Sequence, residues 1–165
     1  MNISQTLILF VTGLISIALL FFVLQMKFAK TSKNNDEGKL KISFSIWIGA
    51  IFLSTSLILS NMLATLIDAL NIYESVNSSL INTLKTTSIF VGLSALWIVM
   101  LIFIIKILSI LLFGDRKEKH EMESDNFSYF ILKSLMLIGF TIALMPALQS
   151  LLKMFLPIIQ TPFYH

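Results

Sequence analysis

ISFSIWIGAIFLSTSLILSNMLATLIDALNIY, residues Ile42 to Tyr73, is the stretch whose reading decides the fold, and from Ile42 to Ile67 it runs 26 residues without a charge. A bilayer core about 30 Å thick is crossed by roughly 20 apolar residues at a helical rise of about 1.5 Å each. The run is therefore long enough to span, and its continuation through Asp68 to Tyr73 implies a helix that tilts or projects beyond the hydrocarbon. One face of this helix is small and polar: Gly49, Ser56, Ser60, Asn61, Ala64, Thr65 and Asp68 recur at three- and four-residue steps. In lipid such a face belongs against another helix, because small residues let backbones approach and hydroxyl or amide groups find partners there.

Working outward, Thr6 to Met26 is a second uncharged run, of 21 residues. It lacks the basic start and small-residue cleavage site of a signal peptide, so it reads as a retained span. A third run ends at Gly114, and a fourth runs from Phe127 to about Leu156 with Pro146 near its middle. A proline there lacks the amide proton of a helical bond and invites a kink. The composition agrees: 56% hydrophobic, 13% charged and a mean hydropathy of +0.89 exclude an ordinary soluble domain. The expectation is an all-α polytopic membrane protein, a single domain over 1–165 with four transmembrane helices, forming a four-helix bundle of two tandem hairpins. The spans fall at about 6–26, 42–70, 87–113 and 127–156, joined by loops 27–41, 71–86 and 114–126.

The loops carry the charge. Segments 27–41 and 114–126 hold eight Lys and Arg residues, whereas the N-terminus and residues 74–85 together hold one, Lys85. The positive-inside rule then makes both basic loops cytoplasmic and puts both termini on the outer side. The lysines of the first loop read as topology determinants in preference to a lipid-headgroup patch. The run DRKEKHEMESDN, Asp115 to Asn126, reads as a solvated loop, and Phe163 and Tyr164 of the tail read as interfacial aromatics. With no cysteine there is neither a disulfide nor a thiolate site.

Laying the second span on the fourth with an offset of 83 pairs Phe44-Ser45 with Phe127-Ser128, Met62 with Met145 and Ala64 with Ala147. Ser56 falls on Gly139 and Ser60 on Ala143, so the close-packing face recurs. The first and third spans share Gly13-Leu14 and Gly92-Leu93. A hairpin duplicated with an even number of crossings gives a parallel internal repeat about an axis along the membrane normal. Paired two-helix repeats with a polar loop leading into a Ser- and Gly-bearing second helix, here Phe21 to Ser60 and Ile98 to Ala147, resemble the YjfL-like family of small bacterial inner-membrane proteins. That resemblance implies a fold and a location in the inner membrane, and brings no catalytic residues.

Ionisable groups inside spans are costly and often functional. Asp68 shares a face with Asn61. It reads either as a carboxylate lining a path or, preferably, as a headgroup-level acid paired with Lys85 or Lys153. Lys106 and Lys133 lie in the cytoplasmic third, where a lysine stem can carry its ammonium to the interface. Pointing inward, the two would form a constriction that repels cations. No metal-ligand spacing, phosphate loop, nucleophile elbow or nucleic-acid motif is present, and His120 and His165 lie in a loop and at the terminus. Neither cofactor, metal nor nucleic acid is expected, and catalysis has no visible residues to run on.

Two functional readings follow. The first is a non-enzymatic integral membrane subunit that packs into a homo- or hetero-oligomeric complex through Gly49, Ser56, Ser60, Ala64, Gly139, Ala143 and Ala147, with lipid, itself and other membrane proteins as partners. The second is a small ion channel or transporter with a polar path near Asn61, Asp68, Lys106, Lys133 and Gln149.

Overall fold

The computed structural model describes residues 3–28, 38–75 and 80–156, and its regular elements are all helices: α1 (Ile3–Phe28), α2 (Ile42–Ser75), α3 (Leu80–Phe113), α4 (Glu118–Glu123) and α5 (Phe127–Lys153). Three of these, at Ile42–Tyr73, Ile81–Phe113 and Phe127–Lys153, are long and apolar enough to cross a membrane. α1 is a helix of 26 residues whose described apolar part is Thr6–Ala18. The tail with Phe163 and Tyr164, and most of the first loop, lie outside the described residues.

Three boundaries depart from the sequence reading. α2 runs on through Ser75 and α3 is already helical at Leu80, so most of the expected loop 71–86 is helix. Polarity alone does not end a helix, and Glu74 to Lys85 contains no glycine or proline to do so. α5 is continuous through Pro146 and ends at Lys153, short of the expected Leu156. The third difference is the charge run, which is not simply a solvated loop. Gly114 turns the chain at φ +77°, and α4 folds back with Met122 only 2% exposed. Met122 is the one buried residue of α4, amid the polar residues of this run.

α2 and α5 form the principal pair, with α3 packed against both and α1 against α2, where Gly13 comes up to Leu63. α2 and α5 run parallel: Trp47 meets Phe130 with ring centroids 6.3 Å apart, and the Ser134 hydroxyl reaches the Ile46 carbonyl at 3.4 Å. The two helices also bury equivalent positions. Trp47, Ala50, Ile51, Ser54, Ile58, Thr65 and Ala69 are buried in α2, and so is each residue 83 further on: Phe130, Lys133, Ser134, Leu137, Thr141, Leu148 and Leu152.

The buried face of α2 is thus the Trp47, Ile51, Ile58, Met62 side. At 3.6 residues per turn, that is about 180° around the helix from the Gly49, Ser56, Ser60 stripe. Several hydroxyls on both faces bond within their own helices, whereas those of Ser54 and Ser94 are buried without a hydrogen bond among the described residues. Thr55 donates to the Ile51 carbonyl, Ser56 to Phe52, Thr65 to Asn61, Ser109 to Ile105 and Thr141 to Leu137. Such bonds to the preceding turn let serine and threonine occupy an apolar interior without interhelical partners.

Candidate functional site

The densest chemistry lies where α4 closes one end of the bundle. Lys133, 2% exposed, is on the first turns of α5, and helical side chains lean toward their helix N-terminus, here the α4 end. Its ammonium meets the Glu118 carboxylate of α4 at 2.9 Å. It also lies 4.6 Å from the Trp47 ring centroid and 5.6 Å from that of Tyr129, so two aromatic faces add cation–π attraction. Tyr129 in turn packs edge-on against Phe113 and Phe130. A buried lysine is tolerated here because a carboxylate and two π-faces replace its water.

The α4–α5 turn holds the other parallel helix start. Asp125, at φ +51°, accepts the Ser43 amide at 2.8 Å and the Ile42 amide at 3.4 Å, so it caps α2 across the chain. Next to it Asn126 caps α5 by accepting from the Tyr129 amide, and donates to Glu121 at 2.6 Å. Glu121 also pairs with Arg116 at 3.5 Å, and Lys41 donates to the Glu123 carbonyl at 2.8 Å. One short segment therefore ties the beginnings of α2 and α5 together. Helix starts expose amides and positive dipole ends, which carboxylate and amide oxygens neutralise.

The Asp125 pKa is lowered, chiefly by the Ser43 side chain beside it; burial works in the opposite direction, and the Ser43 and Ile42 amides and the Lys41 charge lower it further. A carboxyl with a lowered folded-state pKa contributes stability above its unfolded value of about 3.9 and loses it as pH falls through the folded value. Below roughly pH 4 the bundle should therefore lose this part of its stability, and an Asp125→Asn variant should lack that step. Asp125→Ala removes the cap and strains a left-handed residue, costing about 1–2 kcal/mol, whereas Asn keeps an acceptor and tolerates that conformation. Denaturant titrations in detergent at pH 7 and pH 3.5 check both. Equal stability of the Ala and Asn forms at pH 7 would contradict the assignment.

The five residues proposed for a path are not brought together. Lys133 is in the core, while Lys106 is exposed on α3, so the two make no shared constriction within the chain. Nor is Lys133 directed to a lipid interface, since the protein itself supplies its carboxylate. Asp68 and Gln149 are exposed and Asn61 is half-buried. Asp68 pairs with neither Lys85 nor Lys153, both of which are exposed. Between α2, α3 and α5 is a cavity of about 10 Å³ beside Ser54, Thr55 and Thr141, room for about one water. An apolar groove of about 480 Å³ opens between α1 and α3, where Thr87 and Ser88 turn their hydroxyls to their own helix.

Gly49, Ser56, Ser60, Ala64, Gly139, Ala143 and Ala147 are all exposed. Among the described residues no cluster of three metal-ligating side chains occurs, and His120 is exposed. Trp47, Glu118, Asp125 and Tyr129 were missed in the sequence. The available signal was the coincidence of Ile42 with Asp125 and Trp47 with Phe130 under the same offset of 83 that aligns the helices.

The described residues thus make an all-helical protein with three helices long and apolar enough to cross a membrane and a charged cap on one end of the bundle. Neither protein-family models, curated proteins nor solved structures match the chain.

Proposed function

We propose that the chain is a non-enzymatic integral membrane subunit that assembles with copies of itself or with other membrane proteins through the small-residue stripes of α2 and α5. The observation that carries this is the outward placement of all seven stripe residues, while the bundle packs through the opposite faces. Small residues at four-residue spacing, Ser56, Ser60, Ala64 and Gly139, Ala143, Ala147, permit close helix approach and drive helix association in lipid. Their exposure leaves that capacity unused within one chain.

The wider reading is a bundle of four spans built from two tandem hairpins. The shared burial at positions 83 apart and the parallel α2–α5 pair support it, as does the 26-residue length of α1. The resemblance to the YjfL-like family and the loop charges fit a bacterial inner membrane with the α4 end cytoplasmic and both termini outside. The cavity between α2, α3 and α5 has room for about one water, which supports the subunit reading over a path at that point of the bundle.

The chain has no cysteine, which gives a clean background for crosslinking. Single cysteines at Ser60 and Ala143 should crosslink into discrete oligomers or heteromers in native membranes, and one at Leu148, buried in the bundle, should not. Ser60→Leu and Ala143→Leu should each weaken the assembly about tenfold, the equivalent of about 1.4 kcal/mol. Monomers throughout, with no variant effect, would end this reading.

A further inference from the structure

Among the described residues Lys106 has no counter-charge, although it lies within an apolar helix long enough to cross a membrane. Along α3 the polar stretch Asn82 to Ser88 gives way at Ile89, and from Ile89 to Phe113 Lys106 is the one charged residue among 25. That segment is about 37 Å of helix, more than enough to fill a hydrocarbon core of about 30 Å. Lys106 is exposed, flanked on its own face by Phe103, Ile107 and Ile110 at 61%, 43% and 42% exposure. Leu111 and Leu112, at 75% and 65%, continue the apolar surface toward the α4 end. No ion pair joins Lys106 to any described residue.

The direction of the helix decides what can satisfy it. α5 begins at the α4 end, so Lys133 leans out of the bilayer toward Glu118. α3 ends there, so Lys106 leans the other way, deeper into the hydrocarbon, from a position seven residues or about 10 Å before Phe113. To reach headgroups its stem would have to double back past Ile110. A lysine at such a depth is ordinarily paired with an acid or turned to a polar interior. The chain's own spans offer no acid: their one carboxylate, Asp68, is near the opposite end of α2. A second copy in the same orientation supplies none either.

We propose that Lys106 docks a span of a different membrane protein carrying an aspartate or glutamate at the same depth. This rests on the subunit reading above and makes the assembly heteromeric. The apolar surface of Phe103, Ile107 and Ile110 packs around the charge pair and excludes lipid from it.

The test compares wild type, Lys106→Met and Lys106→Arg extracted gently from native membranes, with the mass of each complex and its protein and phospholipid content measured by native mass spectrometry. Lys106 contributes no contact to the bundle interior, so the variants keep the fold, and Lys106→Arg separates charge from shape. The expected result is a second membrane protein with a carboxylate in a span, reduced at least about tenfold by Lys106→Met and retained by Lys106→Arg. Exchanging the charges, Lys106→Glu with the partner's acid changed to lysine, restores it. Retention by Lys106→Met, a partner with no intramembrane acid, or loss of bound phospholipid alone overturns the inference. A homo-oligomer indifferent to Lys106→Met also overturns it while leaving the subunit reading intact, and monomers in every sample overturn both.

Discussion

Replacing Trp47 by alanine should destabilise the protein more than any other single truncation, by about 3 kcal/mol. The indole is 0% exposed at the parallel α2–α5 contact, where it supports the Phe130 ring and one face of the Lys133 site. In water such a truncation costs about 3–5 kcal/mol through lost transfer and an unfilled cavity. Between membrane helices the transfer part shrinks, because lipid is as apolar as the core, and the lower end of the range applies. What remains is lost dispersion contact and the lost cation–π attraction of Lys133, itself worth about 0.5–2 kcal/mol. Trp97, half-buried on α3, is the control, and Trp97→Ala should cost less than half as much. Unfolding of both variants in mixed micelles checks the order. Equal losses would mean that the α2–α5 contact is not the centre of the fold.

Trp47 also marks the limit of what the chain discloses by reading. The long helices were legible because uncharged length against bilayer thickness is a one-dimensional property. Which face of each helix turns inward was not. In a soluble protein the apolar side is the buried side, but α2 is apolar nearly all round, so hydrophobicity does not choose between Trp47 and Gly49. The stripe rule for small residues picked out a real face, and within one chain that face is the outer one. The site at the α4 end was hidden for a different reason. Lys133, Glu118, Asp125 and Ser43 are brought together by tertiary contact, and Glu118 and Asp125 look in sequence like ordinary members of a charge run. Only the direction of α5 could have been argued in advance, since it leans Lys133 toward that run.

The Lys133–Glu118 pair should respond unequally to removal of its two halves. Glu118→Gln leaves an ammonium whose side chain is 3% exposed without its carboxylate. Breaking a buried pair costs about 3–5 kcal/mol; Glu118 is 31% exposed, so solvent screening already weakens the pair and about 2–3 kcal/mol is expected. Lys133→Met keeps an unbranched stem against Trp47 and Tyr129 and leaves Glu118 free to rotate into water, so its cost should stay within about 1 kcal/mol. The double variant should therefore be more stable than Glu118→Gln alone, which is the signature of coupling through a buried charge. Equilibrium unfolding of the three variants in one detergent measures it. If Lys133→Met proves the more damaging change, the lysine is holding α4 chiefly by attraction, and the aromatic faces contribute little to keeping its charge in the core. If Glu118→Gln is the worse, α4 is retained to neutralise a lysine that α5 carries inward, and detaching α4 would uncover a buried cation at the very point where the starts of α2 and α5 are joined.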